Sequence, residues 1–201
     1  MNGDGMNLLE HEAKGLFRRY RISTPRGLFF QDMNGIADSL ANLKFPIMVK
    51  AQTTVGGRGK AGAIRTALHS QETLEACERI LGMRVAGMKV HGVLLEEMVE
   101  ASREIYLAII IDQRSRCPLL LAGSAGGMDV ENMPSHTIKG WNLDPLEPLS
   151  EEVLDQASQF LLRGGPGSKE VRSIIGAMWR LFRNMDCELV EINPLMITDS
   201  G

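Results

Sequence analysis

The feature that most constrains this chain is a glycine-dense block, Gly56-Gly57-Arg58-Gly59-Lys60-Ala61-Gly62, with a strand pattern on each side. Before it, Pro46-Ile47-Met48-Val49-Lys50-Ala51 is a short apolar run with a lysine near its end, the pattern of a buried strand. After it, Ala63-Ile64-Arg65-Thr66-Ala67 alternates with period two. The order is therefore strand, glycine loop, strand, and it excludes two common phosphate sites. Gly57-x-Gly59-x-x-Gly62 fits the dinucleotide string, but that site needs a helix opening directly after it, and the pattern here is β. The P-loop needs a glycine where Thr54 stands and a Ser or Thr where Ala61 stands. What remains is a hairpin whose glycines let the backbone approach phosphates, with Arg58 and Lys60 supplying charge, as glycine-rich covers do in kinases. A mobile surface hairpin with solvated Arg and Lys is the plain alternative.

Three other places bear on that choice. Only seven of the 22 basic residues are lysines, so Lys50 and Lys60 stand out. A buried ammonium without a partner is costly, so Lys50 must meet an anion or a carboxylate; a structural ion pair is the simpler reading. Glu96 and Glu97 end the apolar stretch 90–99, where Met98 and Val99 offer backbone groups to an adenine edge, although strand-end acids are common. In Glu191-Ile192-Asn193-Pro194, residues 191 and 193 share one face of a strand. A carboxylate and an amide oxygen so placed suit Mg²⁺ and phosphate, Pro194 then ending the pairing; a polar edge-strand face is the alternative.

The remaining pattern mixes helices and strands without repeats. Asn7 is placed to cap a first helix, three residues before Glu10, and Leu9, Ala13, Leu16, Phe17 and Tyr20 follow at helical spacing. Strands are predicted over 27–30, 103–112, 118–122, 187–192 and 195–198. Helices are predicted over 33–43, from Ser70 to Leu81, from Ser150 to Leu162 and from Ser168 to Asn184, with a Gly- and Pro-rich loop over 123–148. Net charge is −3, from 25 acidic and 22 basic residues, which offers nothing to nucleic acid. The longest apolar run, Ile105 to Ile111, is far short of the roughly 20 residues that span a bilayer. Cys77, Cys117 and Cys187 have no paired spacing, and Met1–Gly5 has neither the basic flank nor the apolar core of a secretory signal. The expectation is a soluble, cytoplasmic protein with no nucleic-acid or membrane partner.

Several short motifs, in order and spacing, resemble the N-terminal ATP-grasp domain of the β subunit of succinyl-CoA synthetase. They are Met6-Asn7-Leu8-Leu9-Glu10 with Ala13-Lys14 and Leu16-Phe17, Val49-Lys50-Ala51-Gln52, the block 56–62, Glu104-Ile105-Tyr106-Leu107, Leu143-Asp144-Pro145 and Glu191-Ile192-Asn193-Pro194-Leu195. The resemblance implies an α+β ATP-grasp fold over 1–201, two subdomains closing on a nucleotide cleft. A small lid-like subdomain would cover about 22–100, and a larger, incomplete one 1–21 with 101–201. It implies that Lys50, Gly57, Arg58 and Gly59 contact the phosphates of ATP or ADP, that Glu96 and Val99 border adenine and ribose, and that Glu104 lines the same pocket. Asn193 would be a Mg²⁺ ligand, and Glu191 the acid that steadies a phosphohistidine.

None of His11, His69, His91 or His136 lies in a family motif for that phosphohistidine, so the resemblance places it on an α subunit that also carries CoA. The reaction implied is ADP-forming ligation of succinate to CoA, a step of the tricarboxylic acid cycle. Pro25 goes with adenine nucleotides in the family. A second Mg²⁺ ligand, an Asp about a dozen residues past Asn193, would lie beyond residue 201, so the domain is expected to be truncated and inactive alone. Ala125 replaces an acid usual in the family, and the loop 131–139 is shorter. A malate- or other acid-CoA ligase subunit and a non-catalytic ATP-grasp fragment are the alternatives.

Overall fold

A computed structural model of the chain describes residues 6–127 and 134–199. Met1–Gly5 and residues 128–133 of the loop expected over 123–148 lie outside the described residues. Contacts group the chain into two units: residues up to Leu16 with Ser23–Met98, and Phe17–Ile22 with the residues from Val99 on. The resemblance implied that the N-terminal segment belongs to the larger unit. Its first part joins the smaller one instead, because its side chains pair there, as described below.

The smaller unit is built on a four-stranded antiparallel sheet, β1 (Gly27–Phe30), β6 (Gly92–Glu97), β2 (Ile47–Gln52) and β3 (Ile64–Ala67) in spatial order. Alternation divides its faces. Ile47, Val49, Ala51, Val93 and Leu95 point into a core closed by the short helix α2 (Ile36–Ser39) and by Cys77 and Ile80 of α3 (Ser70–Leu81). Burial of this kind is the main stabilising term, about 25 cal/mol per Å² of apolar surface. The opposite face carries Phe29, Leu94 and Lys50 in one row and Glu96 beside Met48 in the next. The helix α1 (Glu10–Arg19) places Glu10, His11 and Lys14 against that face: His11 stacks on Phe29 at 3.7 Å, and its backbone N–H donates to Gln52 Oε1.

Two local expectations change, and one element is added. The helix cap is not Asn7: Leu9 is the boundary residue, and Glu12 reaches back to the Leu9 N–H at 2.7 Å, half of a capping box. The helix predicted over 33–43 shrinks to α2 and one 3₁₀ turn, Leu40–Asn42, because Gly35 takes a left-handed conformation, φ 75°, just before it. A two-residue ladder, β4 (Arg84–Val85) with β5 (Met88–Lys89), turns through Ala86-Gly87 and was not foreseen.

The larger unit has the antiparallel order β10 (Leu189–Ile197), β7 (Arg103–Asp112), β8 (Cys117–Gly123), β9 (Ile138–Asn142). Ile105, Leu107, Ile109, Leu120 and Ala122 are fully buried, as are Leu161 of α4 (Glu151–Leu162) and Val171, Ile175 and Met178 of α5 (Ser168–Asn184). Ser150 caps α4 by accepting from the Val153 N–H. Two strand predictions need correction. β9 runs through the expected loop, paired to β8. Pro194 does not end the last strand: the ladder resumes at Leu195 after a shift that leaves two residues, 193 and 194, opposite Tyr106, which is a β-bulge. Cys77, Cys117 and Cys187 are free thiols, and burial pushes the Cys77 thiol up to about 12. Among the described residues no helix is long and apolar enough to cross a membrane.

Candidate functional site

In the smaller unit five charged side chains gather on one face of the sheet. Lys50 Nζ lies 2.5 Å from Glu96 Oε2 and 3.2 Å from Glu10 Oε1. Lys14 Nζ lies 2.5 Å from Glu96 Oε1 and 2.8 Å from Glu10 Oε1. Arg58 donates to Glu10 Oε2 at 2.5 Å and to the Ala51 carbonyl at 3.1 Å. The sequence explains each placement. Lys50 and Glu96 sit on adjacent strands with side chains on the face opposite the core, and Glu10 and Lys14 are four residues apart on α1 and so share its surface. Arg58 arrives on the glycine loop joining β2 to β3.

Charge matching keeps Glu10 and Lys50 ionised. Burial alone would push the Glu10 carboxyl up, but Lys50, Lys14 and Arg58 outweigh it and hold it far below the usual range. Burial likewise opposes the Lys50 ammonium, yet Glu10 and Glu96 raise its pKa above the ordinary value. Three cations against two carboxylates leave the cluster one positive charge in excess. The demand that Lys50 meet an anion is thus satisfied by carboxylates.

The loop above this cluster is wound by its own backbone: the Ala63 N–H donates to the Arg58 carbonyl, the Ala61 N–H to Gly57 and the Gly62 N–H to Gly59. Gly57 needs its φ of 79°, which a side chain rarely adopts, and a Cβ added there would meet nothing within 4 Å. Two surface hollows of this unit, of about 540 Å³ and 320 Å³, share no residue with the cluster. The first is lined by Arg65, Glu72, Glu75 and Arg79 among others.

In the larger unit the bulge organises a second polar group. Asn193 Oδ1 accepts from the Gly127 N–H at 2.7 Å, and its Nδ2 donates to the Gly127 carbonyl at 3.1 Å. Gly126 is pressed so close that an added Cβ would stand 2.7 Å from the Ile105 carbonyl oxygen and 3.0 Å from Pro194 Cβ. Burial, followed by the neighbouring Glu191 charge, raises the pKa of the Tyr106 phenol. Glu104 is exposed on the same face of β7 as Tyr106, two residues away, opposite Met196. Asn193 Oδ1 retains a second lone pair, so it fits a hard cation that takes most of its ligands from phosphate and water. Among the described residues no group of three or more His, Cys, Asp or Glu could by itself hold a metal.

Lys50, Arg58 and Glu96 are therefore brought together, with Gly57 and Gly59 in the loop. Glu191 and Asn193 are grouped in the other unit, where Val99 and Glu104 also lie. Glu10, Lys14, Gln52 and Tyr106 are the members to which the sequence assigned no role. The opposite charges at positions 10 and 14 were the available signal. Glu96 is 1% exposed with both oxygens taken by ammoniums, a place unlike the base edge implied for it.

Comparison with known proteins follows the same lines. A family model described as ATP-grasp domain matches residues 7–197. A succinate–CoA ligase [ADP-forming] subunit beta of Desulfotalea psychrophila is 35% identical over 98% of this chain and 53% of its own length. That of Pyrobaculum aerophilum is 36% identical over the same shares, 98% and 53%. The chain spans about half the length of the curated relatives it matches. Among solved structures, a dinucleotide-forming acetyl-coenzyme A synthetase of Ca. Korarchaeum cryptofilum, in complex with coenzyme A and Ca-AMPCP, gives a TM-score of 0.77 at 19% identity, covering 96% of this chain and 88% of that one. ATP citrate lyase of Methanothrix soehngenii gives 0.72 at 22% identity, over 96% and 48%. At such identities these structures speak for the fold alone.

Proposed function

The chain belongs to the ATP-grasp domain family, and we propose that it is the nucleotide-binding part of an ADP-forming acyl-CoA ligase whose acid is succinate. The observation that carries the proposal is that Lys50 and Arg58 meet on one carboxylate, Glu10, at the foot of a glycine hairpin, in a cluster with one positive charge in excess. Two cations and the backbone of Gly57, Arg58 and Gly59 are the groups that grip a polyphosphate. The names of the relatives support succinate and ADP.

In this reading Lys50 and Arg58 neutralise the phosphates of ATP, Val99 borders the base and ribose, and Glu104 lines the same pocket. Glu96 is given a different part from the one the resemblance implied: with both oxygens on ammoniums, it holds Lys50 in place. Asn193 supplies an oxygen to Mg²⁺, which when bound adds charge neutralisation at the phosphates. Glu191, beside the Tyr106 phenol, is the carboxylate that steadies a phosphohistidine on an α subunit, where CoA and the dicarboxylate also bind. Phosphoryl transfer of this kind depends on positioning and charge neutralisation, which this residue set can supply. The setting is the cytoplasm and the tricarboxylic acid cycle.

Isothermal titration with Mg-ATP tests the nucleotide step. Binding is expected, weakened about tenfold or more by Lys50→Ala and by Arg58→Ala, as loss of a charge-assisted contact implies. Unchanged affinity in both variants would remove the proposal and favour a non-catalytic fragment.

A further inference from the structure

The Glu10 carboxylate touches three cations at once: Oε1 lies 2.8 Å from Lys14 Nζ and 3.2 Å from Lys50 Nζ, while Oε2 accepts from Arg58 at 2.5 Å. We infer that Glu10 is a built-in counter-anion of the phosphate site, holding Lys50 and Arg58 when no nucleotide is present and yielding Arg58 to an incoming polyphosphate. This rests on the reading that Lys50 and Arg58 receive phosphate.

Four observations support the assignment. A carboxylate and a phosphate offer the same partner to a guanidinium or an ammonium, an anionic oxygen that accepts charge-assisted hydrogen bonds, so the two compete for it. The two carboxylates of the cluster also differ in depth. The Glu96 side chain is 2% exposed and that of Glu10 17%, so Glu10 is the one that solvent and ligand reach. The Arg58 side chain is 25% exposed, the most open of the three cations, and it also donates to the Ala51 carbonyl at 3.1 Å, a contact it can keep through one nitrogen while another turns to phosphate. Finally, the exchange leaves no charge stranded. Lys14, four residues along the same helix, keeps Glu10 paired after Arg58 leaves, and Glu10 at the first turn of α1 is also favoured by the helix dipole.

Two consequences follow. The cluster with Glu10 ionised carries one excess positive charge, and without that carboxylate it carries two. The wild-type site must therefore favour ligands of several charges, which can outcompete an internal carboxylate, over orthophosphate. Glu10 is in this sense a specificity-determining residue, and neutralising it should tighten binding, the opposite of what damage to a structural residue does.

The test uses calorimetry with inorganic tripolyphosphate and orthophosphate on the full chain, with circular dichroism to confirm folding. Glu10→Gln is expected to bind tripolyphosphate about tenfold tighter, equivalent to about 1.4 kcal/mol, and to gain measurable affinity for orthophosphate. Glu10→Asp keeps the charge and the Lys14 pair but draws back from Arg58. It should bind about threefold tighter, and it serves if the Gln variant fails to fold. Arg58→Gln separates the two levels. If it weakens tripolyphosphate binding while neither Glu10 variant tightens it, the assignment of Glu10 falls and the phosphate reading stands. If Arg58→Gln changes nothing, or no form binds tripolyphosphate, both fall.

Discussion

Replacing Glu96 by Gln tests whether the ion cluster is a buried network or a set of screened surface pairs. Glu96 is 1% exposed and accepts from two ammoniums at 2.5 Å each. Glutamine keeps the shape but turns amide hydrogens toward one of those ammoniums and raises the excess charge from one to two. Removing one partner of a buried pair costs about 3–5 kcal/mol. Here Glu10 stays within reach of both lysines and offsets part of that, which leaves an expected loss of about 2–3 kcal/mol. For a chain of this size that lowers the melting temperature by about 4–12 °C. The control is Arg172→Gln. Arg172 pairs with Glu151 and Asp155, whose side chains are 79% and 72% exposed, and the change should cost less than about 1 kcal/mol. Urea unfolding followed by circular dichroism, with unchanged m-values, gives both numbers. A Glu96→Gln loss no larger than that of Arg172→Gln would refute the reasoning.

The pH profile of stability should follow from the same groups. The folded Glu10 pKa lies below its ordinary 4.5, so its contribution is present above 4.5 and is lost as pH falls below that toward the folded value. The folded Lys50 pKa lies above 10.5, so its contribution is present below 10.5 and is lost as pH rises through the raised value. Urea midpoints across pH should show the acid limb shrinking in Glu10→Gln; an identical limb would count against the cluster. Two glycines give opposite outcomes in thermal melts. Gly92→Ala puts a Cβ 2.4 Å from the Phe30 carbonyl oxygen and should cost about 2–3 kcal/mol, whereas Gly15→Ala, in α1 with nothing within 4 Å, should gain about 0.5–1 kcal/mol.

Much of the fold was legible where local pattern and tertiary environment agree. β1 and β7 fall on their predicted residues, α4 starts after Ser150 as its cap requires, and the ATP-grasp fold expected from scattered motifs holds. The errors share a cause. β9 hides in a Gly- and Pro-rich stretch because its pairing with β8, not its own composition, makes it a strand. Pro194 reads as a terminator, yet a bulge lets the chain step past it and resume at Leu195. The site shows the same divide. The need of Lys50 for a counter-charge follows from one buried lysine, but its partners Glu10 and Glu96 lie 40 and 46 residues away, and only the sheet and α1 bring them together.

Amide hydrogen exchange of the full chain with and without Mg-ATP tests the central claim most directly, because it locates the nucleotide. Slowed exchange is predicted across residues 53–63, the glycine loop, and its loss in Arg58→Ala. Slowing confined to the hollow lined by Arg65 and Arg79, or a loop whose exchange does not change under saturating Mg-ATP, would contradict the account.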